Sequence, residues 1–356
     1  MTSSPLLVVR ADASEAIGSG HVMRCLAVAE QWRSRGGEVH FACQNLTGHL
    51  ITEVQERGYP AHILPALEAI KPWGSTDVEA DARATRGLMQ VLMAENLRRP
   101  VWLLVDHYQI DDRWHEAVAQ PGLRIAALDD LANRPLRCDV LIDQNSLSHL
   151  HHRYPSLTPV HCRHLLGAGY TLLREDVQDA AKVRRASEEG SEVLIFLGGA
   201  DNGRHTEEVV RQWKRQASGS LSAHVLCGSM NPRWKQLQSV CNEAQIECSR
   251  AQRGMAQVMG RARAAIVACG MLAVELQALE VPSLLIPLSD IQRAVAQDFR
   301  NRGRAVVLET EYLSRPETFD EAWARTLEME HRPTGGGIIP LDGALRVVDA
   351  LMEMQS

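Results

Sequence analysis

The feature that most constrains this chain is a recurring pair: a short apolar run, then a stretch with helical spacing. Leu6–Val9, Val101–Val105, Val193–Leu197 and Ala264–Ala268 are such runs. A run of that length without polar alternation fits a strand covered on both faces, as in a parallel sheet. Further strands are expected at 38–43, 62–64, 124–128, 140–143, 223–227, 245–248, 283–288 and 304–308. Helices are expected at 50–57, 77–97, 206–213, 255–261, 271–279, 291–302 and 341–354. One more follows Gly20, with Val22, Leu26, Ala29 and Trp32 on one face. Parallel strands need crossover connections, so the fold class is α/β. At 356 residues the chain exceeds one ordinary core. The alternation restarts after the polar segment Lys182–Gly190, the expected linker. The expectation is therefore two doubly wound, Rossmann-like domains facing across a cleft, residues 1–185 and 186–356. The terminal helix is free to pack back on the first domain.

Composition excludes several classes. The chain is 45% hydrophobic and 23% charged, with a net charge of −6, so it has no basic bias toward nucleic acid or anionic lipid. No apolar segment reaches the length of a membrane span. Leu6–Val9 is too short for a signal-peptide core, so a cytoplasmic location is expected. The eight cysteines include no Cys-x-x-Cys, which suits reduced, buried thiols better than disulfides or zinc. His151, His152, His161 and His164 lie close together, but Arg153, Tyr154 and Pro155 between them read as a loop rather than a metal site. No metal, cofactor, nucleic-acid or membrane partner is expected, and the chain is expected to be a monomer or weak oligomer.

Chemistry-bearing residues gather where the apolar runs end. After Leu6–Val9 come Asp12, Ser14, Gly18, Gly20, His21 and Arg24, ahead of a helix. The glycines admit unusual backbone angles and a close approach of ligand. The helix N-terminus offers free N–H groups to an anion. Imidazole is the side chain that exchanges a proton near neutral pH. Asp106-His107-Tyr108 follows Val101–Val105. Its position suits a ligand site, and the plainer alternative is that Asp106 caps the next helix while Tyr108 packs. Asp129-Asp130 and Asp143 close two further strands. In the second half, Gly198-Gly199 and Gly270-Met271 each follow a strand and could face a pyrophosphate. Glu275, one turn on, either accepts from ribose hydroxyls or is a solvated surface residue.

The stretch Arg10–Cys25 resembles the N-terminal signature of the UDP-sugar hydrolases of pseudaminic acid biosynthesis (the PseG type), and Asp106-His107-Tyr108 is similar to a segment of that family. Val267–Gln292 resembles the nucleotide-binding half of the glycosyltransferase-B architecture, through Glu275, Ala278-Leu279, Pro282, Asp290 and Gln292. Cys269 and Met271 depart from the small polar residues common at that turn. The resemblance implies a glycosyltransferase-B-like fold and release of UDP from UDP-2,4-diacetamido-2,4,6-trideoxy-β-L-altropyranose by water attack at the anomeric carbon. His21, Asp12 and Tyr108 would be catalytic. Gly18, Gly20, Arg24, Asp106, His107, Gly198, Gly199, Gly270, Met271, Glu275, Asp290 and Gln292 would bind substrate. A glycosyltransferase of the same architecture and a non-catalytic sugar-nucleotide binding module remain as rival readings.

Overall fold

Strands that are apolar on both faces must be covered on both, and each apolar run joins one of two parallel sheets. A computed structural model describes residues 4–15, 17–65, 78–95, 99–145, 149–185, 192–198, 201, 204–216, 221–228, 231–250, 254–329 and 339–354. The expected loop at 71–75, the cap at Asp77 and Gly199 lie outside them.

The first half runs β1 (Leu6–Ala11), α1 (Gly20–Ser34), β2 (Glu38–Gln44), α2 (Ile51–Glu56), β3 (Ala61–Leu64), α3 (Val78–Ala94), β4 (Val101–Asp106), α4 (Asp112–Val118), β5 (Leu123–Leu128), β6 (Val140–Asp143) and β7 (Arg163–Leu166). The strands form one sheet in the order β3-β2-β1-β4-β5-β6-β7. All its pairings are parallel. The period of two sorts side chains between two cores. Leu7, Val9, Trp102 and Leu104 pack with α1 residues. Leu6, Val8, Leu103 and Val105 pack with Met89 of α3 and Trp114 of α4.

The second half continues with α5 (Glu175–Arg185), β8 (Glu192–Phe196), α6 (Arg204–Gln216), β9 (Ser222–Cys227), α7 (Trp234–Ala244), β10 (Glu247–Arg250), α8 (Met255–Arg261), β11 (Ala262–Ala268), α9 (Met271–Ala278), β12 (Ser283–Ile286), α10 (Asp290–Asn301), β13 (Val306–Val307), α11 (Pro316–Glu328) and α12 (Gly343–Glu353). Its sheet has the order β10-β9-β8-β11-β12-β13. Val193, Ile195, Ile266 and Leu284 line its core beside Val210, Phe319 and Trp323.

The chain divides into two compact units, Met1–Arg174 with Pro340–Ser356, and Glu175–Ile339. Lys182–Arg185, expected in a linker, form the last turn of α5, and 186–190 lie outside the described residues. Strand 245–248 starts two residues late, because Gln245 takes a φ of 58° and closes α7 instead. The run at 304–308 shortens to a two-residue strand, Val306–Val307, after which the Leu308 N–H donates to the Leu285 carbonyl at 2.9 Å. Ser289, not Asp290, caps α10: its hydroxyl accepts from the Gln292 N–H, and Asp290 is the first helical residue.

α12 completes the first unit. Ala344, Val347, Val348 and Leu351, all unexposed, join the core that α1 covers. Each of the three larger side chains is worth about 1.5–3 kcal/mol on burial. Gly343 admits the approach: a Cβ there would stand 2.2 Å from the Thr171 carbonyl oxygen and 2.6 Å from its nitrogen.

Candidate active site

In an open parallel sheet, ligands gather beyond the carboxyl ends of the strands, where the strand order reverses. In the first sheet that point lies between β1 and β4. The loop from β1 to α1 and the residues after β4 both open there. Gly18 has a φ of 80°, and its N–H donates to the Ser14 carbonyl at 2.8 Å, closing a tight turn before α1. Gly20 needs no unusual angle; it starts the helix with nothing within 4 Å of where a Cβ would lie.

Helical spacing places His21, Arg24, Cys25 and Val28 on one buried stripe of α1. Strand alternation puts Asp106 on the same face of β4 as Trp102 and Leu104, the face toward α1. The two meet. His21 Nδ1 lies 2.6 Å from Asp106 Oδ1. Arg24 donates from Nε to Asp106 Oδ2 at 2.5 Å and from Nη2 to Oδ1 at 2.6 Å. Its third nitrogen, Nη1, donates to Asp130 Oδ2 at 2.9 Å. Burial alone would raise the Asp106 carboxyl, but Arg24 and His21 outweigh it and hold it well below the usual carboxylate range. An ionised carboxylate only accepts, so in the neutral ring the proton sits on Nδ1 and Nε2 carries the lone pair. Such a pair fixes the tautomer of a general base.

Tyr108 stands edge-on to His21, with ring centroids 4.5 Å apart. Burial and then the charge of Asp130 raise its phenol, which therefore stays a donor at neutral pH. His107 is 8% exposed. Its Nδ1 accepts from the Gln109 N–H at 3.2 Å, and Nε2 lies 3.6 Å from Asp12 Oδ2. Burial and the Arg10 charge push it down to about 4, so it is neutral at pH 7. Asp12 is 1% exposed and is held by Gln44 N at 2.7 Å and Arg10 Nη2 at 2.8 Å. It therefore belongs to a buried network on the far face of the sheet. There Arg10 forks onto Asp81 at 3.1 and 2.6 Å, and Gln44 and Trp114 donate to the same carboxylate.

A second set of groups stands beside the first, at the ends of β5 and β6. Tyr154 donates to Asp143 Oδ2 at 2.8 Å. Arg153 donates to Asp143 Oδ2 at 3.0 Å and to the Asp130 carbonyl at 2.9 Å. Burial pushes the Asp143 carboxyl up to about 6 despite these donors. Sequence reasoning placed Asp130 and Asp143 at strand ends without assigning them to the site. The available signal is that each follows an apolar strand run, within two residues of the level of Asp106 on neighbouring strands.

In the second unit the strand order reverses between β8 and β11. Gly198 follows β8 with a φ of 77°. Gly270 follows β11 and precedes α9, with open space around it. Both expected glycine turns thus flank that sheet's switch point, and Met271 is the first residue of α9. Glu275 is 5% exposed, so it is not a solvated surface residue. Gln292 accepts from the Leu288 N–H at 2.8 Å through its side-chain oxygen. The Asp290 side chain is 96% exposed and pairs with Arg293. His164, of the four clustered histidines, bonds Thr158 at 2.8 Å.

Two Rossmann-like units of this topology define the glycosyltransferase-B fold, and solved structures agree. MurG of Acinetobacter baumannii matches with a TM-score of 0.62 at 16% identity, over 99% of this chain and 100% of that one. A UDP-glucosyltransferase from Polygonum tinctorium matches with a TM-score of 0.64 at 13% identity, over 100% of this chain and 98% of that one. In sequence, the chain is similar to the UDP-2,4-diacetamido-2,4,6-trideoxy-β-L-altropyranose hydrolase of Campylobacter jejuni. The two are 27% identical over 233 residues, covering 65% of this chain and 73% of the relative. No family model matches the chain. Among the described residues no helix is long and apolar enough to cross a membrane.

Proposed function

We propose that this protein is a UDP-sugar hydrolase that acts on UDP-2,4-diacetamido-2,4,6-trideoxy-β-L-altropyranose, in the cytoplasmic synthesis of pseudaminic acid. The observation that carries the reading is the His21–Asp106 pair, clamped by Arg24 at the switch point of the first sheet. Similarity to the Campylobacter jejuni hydrolase supports the substrate class. In the proposed reaction, His21 Nε2 takes a proton from water as its oxygen attacks the anomeric carbon. The bond from that carbon to the β-phosphate oxygen breaks, and UDP leaves with the electron pair on the face opposite the attack. The anomeric centre inverts. Tyr108 and the open backbone at Gly18 and Gly20 are assigned to the sugar. The turns at Gly198 and Gly270-Met271, with Glu275, are assigned to UDP, whose negative charge suits the N–H groups at the start of α9.

The test is incubation with the UDP-sugar and no acceptor, following UDP release and the anomeric proton by NMR. Acceptor-independent release with inversion is expected. Release only with an added sugar or lipid acceptor would make the protein a transferase, and binding without turnover a binding module. His21→Ala is expected to lose on the order of 10²–10⁴ in kcat while UDP binding persists. Near wild-type turnover would remove His21 from the mechanism.

A further inference from the structure

The two groups that set the surroundings of His21 converge on one carboxylate that has no described contact with His21 itself. Asp130 follows β5, and its side chain is 16% exposed. Its Oδ2 accepts from Arg24 Nη1 at 2.9 Å, while the other two Arg24 nitrogens hold both oxygens of Asp106. Asp130 also acts on Tyr108, whose phenol is raised by burial and by the Asp130 charge, and the Tyr108 ring stands edge-on to the imidazole. Asp130 is itself pinned, since Arg153 ties its carbonyl to Asp143 on β6. One guanidinium and one phenol, from different elements, are thus oriented by a single side chain.

We propose that Asp130 is a positioning residue for the reaction, setting the guanidinium plane of Arg24 and the ring of Tyr108 around the His21–Asp106 pair. The inference rests on the reading of His21 as the base. It also has an electrostatic side. The groups around the His21–Asp106 pair are Arg24 and Cys25 on α1, and His107 and Tyr108 after β4. Asp130 stands behind Arg24 and Tyr108. With Asp130 neutral, Arg24 is balanced by one carboxylate instead of two. The field at His21 becomes more positive and disfavours imidazolium. A base that must be neutral then remains active to lower pH.

The test compares wild type with Asp130→Asn, which keeps the size and an acceptor but removes the charge. We expect kcat to fall on the order of 10- to 100-fold, as misplacement of groups around a reacting centre does. UDP affinity and Tm should stay near wild type, and the acid limb of the kcat/KM profile should move to lower pH. In a Tyr108→Phe background the Asp130→Asn loss should shrink, because the two share one interaction. Wild-type kcat with an unmoved acid limb overturns the proposal. So does a loss of activity that tracks a lower Tm with the limb unmoved, which is the mark of a merely structural residue. If the wild-type protein releases no UDP, the functional reading fails separately. Nitrogen-15 NMR titration of the His21 ring in both proteins then decides: a lower midpoint in Asp130→Asn supports the positioning role, and an unchanged one overturns it.

Discussion

At the scale of single residues, chemistry follows from which neighbour holds which atom. Arg24 illustrates this. A cation beside a glycine turn invites assignment to a phosphate, yet all three of its side-chain nitrogens donate to Asp106 and Asp130. Its planar fork is what lysine could not reproduce. Glu275 makes the opposite point, because its 5% exposure sets it apart from ordinary glutamates, which stay in water. If it accepts from ribose hydroxyls, Glu275→Ala should weaken UDP binding by roughly 3–6 kcal/mol, the worth of two hydrogen bonds to a charged acceptor. A contact made equally in ground and transition states raises KM more than it lowers kcat. Calorimetry with UDP alone checks this, and unchanged affinity would leave Glu275 as a buried structural residue. The positions of Asp106 and Tyr108 are legible in the sequence as a strand end after an apolar run, and that of His21 as the start of a helix after a glycine turn. Asp130 was not legible as part of the site. Its partners Arg24 and Tyr108 are set by the lateral order β1-β4-β5, and no local pattern encodes strand order.

At the scale of elements, strands were the easier class to read. An apolar run such as Val101–Val105 has few alternatives once both faces must be covered. Helices with little apolar content were harder. The end of α5 reads as a linker, because the sequence EDVQDAAKVRR offers only Val177 and Ala181, one turn apart amid charge, as buried anchors. Asp290 and Ser289 are equally good caps for α10 by residue type, and only geometry shows that the Ser289 hydroxyl reaches the Gln292 N–H. The junction before α12 is set by one missing side chain. Gly343→Ala should destabilise the first unit by about 1–3 kcal/mol, as overpacking does, because the added methyl meets Thr171 backbone rather than a movable side chain. Urea unfolding followed in the first unit measures this. An unchanged midpoint would mean that α12 shifts freely to accommodate the methyl.

At the scale of the whole molecule, the two units differ in how they answer acid. The first holds His107 and His115 buried and neutral. Burial, helped by the Arg134 charge, pushes His115 down to about 3, and His107 stands at about 4. Unfolded histidine titrates near 6.5, so between that pH and about 4 only the unfolded chain takes up these protons. Stability is lost as pH falls through that window, by roughly 2 kcal/mol per histidine at pH 5. The second unit's described histidines, His205 and His224, are partly exposed. Lowering the pH from 7 to 5 should therefore move the melting transition of the first unit more than that of the second. His115→Asn keeps an acceptor for the Arg137 N–H and should flatten the shift; an unaltered slope by calorimetry would exclude His115 as its source. The closing of the first unit by α12 has a different consequence, in the order of manufacture. A ribosome adding ~5–20 residues per second needs on the order of 10–30 s to travel from Arg174 to Gly343. Through that interval the whole second unit is being made while α1 waits with a bare apolar flank. The earlier-made unit is therefore the later to finish, and its unfinished state is the one that nascent-chain chaperones would meet.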